Sequence, residues 1–321
     1  MIRISDPSTC CGCTACASIC PKDAITMEPD ALGFLYPRVD ASRCVECGRC
    51  EQVCAFNDHY DTSLNLPAPL AYGARHRDMH EVETSRSGAA FIALSDHILA
   101  QGGVVYGAGY KDHFRVCHKR ATTKEERDEF KGSKYVQSDL TGIFRQVKRD
   151  LKDGLLVLFS GTPCQTAGLN AYIGKRLRER LFLVDIVCHG VPGPYLWRDY
   201  LAYLERKQGS PIVWVNFRDK QRFGWRAHKE TFKFLNGGVK SCRSLTLSTN
   251  TSCFATRAAF AITATHGARA TSHLPTSGGG RIRTRRSMPM TRGSHSSLST
   301  HRRARPCSRQ YRTSSTAFLL P

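Results

Sequence analysis

The sequence predicts a small α+β domain built round cysteines, followed by an α/β domain and a basic C-terminal tail. Three observations predict this. Nine of the 15 cysteines fall between Cys10 and Cys54. From Leu70 onward strand and helix signals alternate, the pattern of an α/β domain. Residues 243–321 contain 13 arginines, no lysine and no acidic residue, whereas 1–242 hold 34 basic and 27 acidic residues, a net of only +7. A chain of 321 residues has room for two or three such regions. No stretch reaches the ~18 to 20 uninterrupted apolar residues that span a bilayer. Met1–Pro7 carries an arginine and an aspartate and leads into no apolar run, so a cytoplasmic location is expected. Cytosolic reductants keep thiols free, and clustered cysteines there more often ligate metal than form disulfides.

Residues 1–57 make up the first region. Cys10, Cys13, Cys16 and Cys20 are followed by Pro21, and Cys44, Cys47, Cys50 and Cys54 repeat the spacing 34 residues later, with Ala55 in place of the proline. A C-x2-C-x2-C-x3-C run sets three thiolates on one tight loop, while its fourth cysteine reaches the neighbouring cluster. On that logic Cys10, Cys13, Cys16 and Cys54 hold one 4Fe-4S cluster, and Cys44, Cys47, Cys50 and Cys20 hold a second. Zinc prefers paired C-x2-C knuckles with a longer spacer and fits this pattern poorly. Cys11 reads as a bystander thiol beside the loop. Ala24–Met27 and Gly33–Val39 read as short strands joined by a turn, an arrangement that resembles the bacterial two-cluster ferredoxin fold.

Residues 58–69 are polar, carry prolines at 67 and 69, and read as a linker. The α/β body divides into 70–150 and 151–243. Its strand candidates are Val104–Ala108, Leu155–Phe159 and Leu181–Val187. Helical patterns cover Ala89–Leu99, Thr141–Leu151, Thr162–Ile173 and Tyr195–Arg206. Two strands run into loops that carry chemistry. Ser160-Gly161-Thr162-Pro163-Cys164-Gln165 enters a helix whose first turn presents backbone N–H groups to an anion and lowers a thiol's pKa. Cys188-His189-Gly190-Val191-Pro192 follows the other strand. Ligands of open α/β sheets sit at the carboxyl ends of strands, where both loops lie. An ordinary turn and a buried cysteine explain either loop alone; together they favour a site. Ser85-Arg86-Ser87-Gly88-Ala89 reads equally as a helix cap or a phosphate cradle. Lys131-Gly132-Ser133-Lys134-Tyr135 reads as a basic loop, solvated or in contact with a phosphate or flavin.

With these residues in view, positions 1 to about 243 resemble the beta-subunit family of coenzyme F-420 hydrogenases and dehydrogenases. The resemblance rests on the double cysteine motif, SRSGAAF at 85–91, FKGSKYVQS at 130–138, FSGTPCQTAGL at 159–169, VDIVCHGVP at 184–192 and FRDKQRFGWR at 217–226. It implies an iron–sulfur flavoprotein oxidoreductase that passes electrons between 4Fe-4S clusters and a deazaflavin or similar acceptor, with FAD as its flavin. By the same resemblance Ser87, Gly88, Lys131, Ser133 and Lys134 contact the flavin or its phosphates, and Cys164 and Cys188 are ligands of a third 4Fe-4S cluster. The chain departs from the family at Ala89 and Ala90, where a second glycine is usual; the added methyl crowds a close approach to phosphate.

The family continues past 243 with a C-x2-C pair and a run like SDITLADFWGW, and neither is present. Residues 243–321 instead hold 26 serines and threonines among 79 positions. Composition alone suggests a disordered basic tail or a nucleic-acid-binding arm. The genetic code offers a third and better reading. With each codon started on the third base of the preceding residue, Ala270–Arg281 permits Asp-Ile-Thr-Leu-Ala-Asp-Phe-Trp-Gly-Trp-Glu. The same frame permits a C-x2-C pair at Arg257–Ala261. Residues 244–321 therefore read as the product of a one- or two-base shift near Arg243–Asn250, and a chain made as written is expected to have an incomplete flavin site and doubtful activity. The expected partner is a redox protein or soluble electron carrier, with no membrane span and no nucleic acid expected. The competing reading is a ferredoxin-like electron-carrier subunit without its own flavin, its body serving only to dock a partner.

Overall fold

The computed structural model describes residues 1–4, 7–57, 60, 61, 71–188, 190–225, 229–243 and 272–274. The cysteine repeat folds as a repeat. Each half runs from a cysteine loop into a short helix, α1 (Ala15–Ile19) and α2 (Arg49–Gln52). Each helix starts from a left-handed residue at the same place in the repeat, Thr14 at φ 66° and Gly48 at φ 71°. Strands β1 (Ile25–Pro29) and β2 (Leu35–Val39) pair antiparallel, from Ile25 opposite Val39 to Pro29 opposite Leu35. Asp30 closes their turn, its carboxylate accepting from the N–H groups of Leu32 (2.9 Å) and Phe34 (2.8 Å).

The body is built on a five-stranded sheet. In chain order its strands are β3 (Val104–Lys111), β4 (Arg115–Ala121), β5 (Val157–Gly161), β6 (Leu181–Ile186) and a short β10 (Ser272–Leu274). Their order across the sheet is β10-β6-β5-β3-β4, all parallel except β4, which pairs antiparallel with β3 at the edge. Side chains alternate between faces with period two. Val104, Tyr106, Val157, Phe159, Leu181 and Leu183 point into one core, shared with helices α6 (Ile143–Lys152) and α7 (Pro163–Ile173). Val105, Leu158 and Val184 point the other way, onto α4 (Ala90–Ala100) through Ile98. A second, three-stranded antiparallel sheet, β7 (Ile212–Asn216), β8 (Lys229–Phe234) and β9 (Val239–Arg243), packs with α8 (Pro194–Gln208) around Trp197, Leu201, Phe217 and Phe232.

The N-terminal region docks on the α6–α7 face. Ile2, Ala15, Cys16, Ile25 and Val53 join the same core as Phe144, Val147 and Leu169. Arg145 of α6 caps the carboxyl end of α1, donating to the carbonyls of Ala17 and Ser18 (both 3.0 Å) and to Asp23 (2.5 Å). A second contact joins the β1–β2 turn to the start of α8: Tyr195 N–H donates to Leu32 O at 3.1 Å. A Cβ at Gly193 would meet that carbonyl at 2.5 Å, so only glycine allows the approach.

The expected strands and helices from 24 to 206 all form, with ends shifted by at most three residues, the largest shift being the end of β3 at Lys111 in place of Ala108. The alternation did not reveal β4, the second sheet, or the short helices α3 (Met79–Thr84), α5 (Lys124–Asp128) and α9 (Lys220–Phe223). Of the linker, Tyr60 and Asp61 are fixed to the body: Asn170 donates to Tyr60 Oη at 3.0 Å and Arg178 pairs with Asp61 at 3.2 Å. The rest of the linker lies outside the described residues, as do the disorder and shifted frame expected for 244–321, apart from β10. Among the described residues no helix is long and apolar enough to cross a membrane.

Candidate redox centre

The eight repeated cysteines fall into two groups. Cys20, Cys44, Cys47 and Cys50 line one small cavity of about 20 Å³. The second group is gathered round Cys16, whose thiol is pushed far up by burial and then by the neighbouring sulfurs of Cys13, Cys10 and Cys54. Cys54 is raised by burial too, with Cys13 and Cys50 adding to it. Backbone N–H groups point at sulfur in both: Gly12 donates to Cys10 Sγ (3.4 Å) and Ala24 to Cys20 Sγ (3.3 Å). Thiols that resist ionisation, as Cys16 and Cys54 do, need a cation to stabilise their thiolates, and N–H···S bonds support the same state. The donor sets fit 4Fe-4S clusters. Among the described residues no three His, Cys, Asp or Glu side chains close round a point as on a single ion; on a cubane the thiolates stand apart, one to each iron.

A larger cavity, of about 230 Å³, opens where β5 and β6 end, and Ser87, Lys131, Ser133, Lys134, Cys164 and Cys188 all line it. Gly88 stands behind the lining, its carbonyl accepting from His76 N–H at 2.7 Å. A Cβ there would lie 2.8 Å from Ala74 O. The wall also includes Cys11, which is 7% exposed and whose Sγ lies 4.0 Å from Cys164 O. Cys11 is therefore no bystander. Its thiol donates towards Cys13, which raises Cys11 and lowers Cys13. One cysteine loop thus supplies both a thiol of the buried group and a piece of the cavity wall. Adjacency in sequence was the only signal for this, since the contact with α7 is tertiary.

The loops are less free than their composition suggests. Thr162 N–H donates to its own helix, to Gln165 Oε1 at 2.9 Å, so it is not presented to an anion. Cys164 sits in the first turn of α7, its Sγ 3.2 Å from Thr162 Oγ1. Burial, followed by the charge of Cys164, pushes the Cys188 thiol up to about 11. Lys131 is paired with Glu81 (2.7 Å) and Asp128 (2.9 Å), which leaves little of its charge for a phosphate. Lys134 donates to the carbonyls of Glu129 (2.5 Å) and Lys131 (3.4 Å), and burial lowers it to about 7. It can hold or release a proton near neutrality.

The 85–89 loop does not cap α4. The residue at the cap is Ala89, at φ 58° and without a side-chain hydrogen bond. Ser87, Gly88 and Ala89 are left-handed in succession, at φ 48°, 66° and 58°. Such strain at non-glycine residues collects where a ligand is held. Of Ala89 and Ala90, where the resemblance places a second glycine, Ala89 is the one whose backbone favours glycine.

Sequence reasoning missed His118, because β4 was not expected. It is 4% exposed, lies stacked on Phe159 with ring centroids 5.0 Å apart, and lines the cavity. Burial lowers it to about 4, so the ring is neutral at pH 7. Its Nε2–H then donates to Ser160 O (2.8 Å), and Nδ1 accepts from Ser138 Oγ (2.7 Å). One ring thereby ties the end of β5 to the loop before α6.

Residues 9–57 match the 4Fe-4S dicluster domain family. The chain is an iron–sulfur protein with an electron-transfer role, and this segment carries its 4Fe-4S clusters. No curated protein matches the sequence. Among solved structures it is similar to a chain of the F420-reducing [NiFe] hydrogenase complex from Methanosarcina barkeri, determined with xenon derivatization. The identity is 18% and the TM-score 0.37, over 53% of this chain and 58% of that one. The alignment thus spans little more than half of the hydrogenase chain.

Proposed function

We propose that the chain is an iron–sulfur flavoprotein oxidoreductase in which two clusters deliver electrons to a flavin bound in the large cavity. Cys20, Cys44, Cys47 and Cys50 hold the outer cluster, for Cys47 is exposed. Cys10, Cys13, Cys16 and Cys54 hold the inner one, for Cys16 is buried and Cys13 abuts α7 at Gly168. The observation that carries the reading is the continuity between them: Cys11 joins the buried thiols to a cavity that six of the seven residues expected to bind cofactor also line.

The clusters supply single-electron transfer, and a flavin such as FAD supplies hydride chemistry with its acceptor. This chain's own residues do the rest. Cys10 to Cys20 and Cys44 to Cys54 fix the order of the wire. Ser87, Ser133 and Lys134 orient the bound cofactor, Lys134 with a proton near balance at pH 7. His118 holds the walls in register. A third cluster at Cys164 and Cys188 draws its remaining ligands from the C-x2-C pair of the shifted frame, so it belongs to a chain in that frame. The partner is a soluble carrier or redox protein in the cytoplasm, docking where Cys47 is exposed.

Anaerobic purification with iron, sulfide and flavin analysis tests the proposal. About eight irons per chain are expected, with a yellow flavin absorbance beyond the iron–sulfur band. Cys54→Ser should halve the iron and remove the cluster of Cys10, Cys13 and Cys16. Eight irons without flavin would leave only the carrier reading, and zinc in their place would end both.

A further inference from the structure

We propose that Ser85 and Arg86, backed by Arg218, form a phosphate-binding subsite in the wall of the large cavity. The resemblance to known proteins pointed to Ser87, Gly88 and the lysine loop. The physical case lies one step earlier in the chain.

Ser85 is 3% exposed, faces the cavity, and its Oγ has no partner among the described residues. Leaving a buried hydroxyl unsatisfied carries its full desolvation cost, so a group that satisfies it is expected in the cavity. Arg86, also on the wall, has a buried Nε without a partner and one long hydrogen bond, from Nη2 to Asn216 Oδ1 at 3.5 Å.

Two other arginines of this protein, Arg127 buried and Arg120 half-buried, show what a guanidinium receives when its role is structural. Arg127, 1% exposed, donates to Asp96 (2.7 Å), Asp128 (2.9 Å), Ser95 Oγ (2.6 Å) and Ile92 O (3.2 Å). Arg120 makes a two-pronged pair with Asp150 at 2.9 and 3.1 Å. Arg86 has no such carboxylate among the described residues. The neighbouring charge that acts on it most strongly is another cation, Arg218.

Arg218, 8% exposed, meets the same Asn216 Oδ1 through its backbone N–H at 3.1 Å. Burial and then Arg218 lower Arg86 to about 10, against smaller opposing effects of Tyr135 and Asp219. Lys220 stands behind, donating to Val82 O and lying 4.0 Å from the Trp225 ring centroid, lowered to about 8 by burial and then Arg86, with Glu83 opposing. Arg86 is the member of this group that lines the cavity, and an anion entering there offsets the burial and the neighbouring Arg218 charge that weigh on it. A phosphoryl group suits best: a guanidinium grips two of its oxygens at once while the serine hydroxyl donates to a third.

The subsite stands whether the phosphate belongs to a flavin or to a second ligand; only the first case rests on the flavin reading above. Calorimetric titration of the purified full chain with inorganic pyrophosphate, then with FAD, FMN and riboflavin, separates them. Pyrophosphate is expected to bind, and both Arg86→Gln and Ser85→Ala should weaken it, the former about tenfold or more. Arg38→Gln, on the exposed β1–β2 hairpin, should change nothing. If Arg86→Gln also weakens FAD and FMN but not riboflavin, the phosphate is the flavin's. If it weakens pyrophosphate and spares all three flavins, the phosphate is that of a second ligand; both outcomes uphold the subsite. Pyrophosphate binding with no flavin bound would remove the flavin reading and keep the subsite. A native chain that ignores pyrophosphate, or binding that neither variant weakens, overturns it.

Discussion

Burial at His118 has a consequence in solution. The ring titrates at about 4 in the folded chain against 6.5 when exposed. Between these values the unfolded chain takes up a proton that the folded one refuses. The stability His118 contributes is therefore fully present above pH 6.5 and is lost as pH falls towards 4, by at most about 1.4 kcal/mol per pH unit. The loss levels off once both states are protonated. His118→Gln keeps a donor and an acceptor but cannot titrate, so its stability should fall less steeply over that interval. Denaturant midpoints at half-unit steps from pH 4 to 7 make the comparison, and equal slopes for native and variant would contradict the account. Cys11 makes a related point about single residues. Its role follows from contact with Cys13 and Cys164, residues 2 and 153 positions away, and only the first separation is visible in a motif.

At the scale of elements, much was legible because periodicity and spacing carried it. The cysteine repeat predicted two matched halves, and the apolar runs at Val104, Leu155 and Leu181 predicted a buried sheet, since parallel strands covered on both faces read as continuous hydrophobic stretches. Strand β4 was hidden because its buried run, Val116-Cys117-His118, is flanked by arginines and lysine and holds a histidine. Strand β8 was hidden likewise, with Glu230 fully buried among its core positions. The helix α7 shows an apparent local fault explained only by packing. A mid-helix glycine costs about 1 kcal/mol relative to alanine, yet a Cβ at Gly168 would lie 2.7 Å from Cys13 Sγ. The gap is what lets the cysteine loop sit on the helix. Gly168→Val should push that loop away and cost the inner cluster, leaving about four irons and the electron paramagnetic signal of the outer cluster alone. Unchanged iron and spectra would show that Cys13 does not depend on this contact.

At the scale of the whole molecule, basic charge and chemistry are separated along the chain: the redox residues lie before 243 and most of the net charge of +20 after it. The single described point beyond 243 is informative. Ser272–Leu274 lies parallel to β6, opposite Val184–Ile186, at the sheet edge. Ser-His-Leu is a weak strand for that place. The shifted frame puts Ile-Thr-Leu over the same bases, two β-branched residues and an apolar one, followed by the acidic and aromatic run that composition lacks. The C-x2-C pair of that frame would complete the thiols for Cys164 and Cys188. We therefore expect resequencing to locate a one- or two-base shift near Arg243–Asn250. A chain expressed in the restored frame should bind about four more irons than the chain as written and unfold at a higher temperature, because the β6 edge gains a strand with side chains to bury. Peptides from Ala268–Arg281 in a digest of the native protein, with the frame verified, would show instead that the basic segment is the real one.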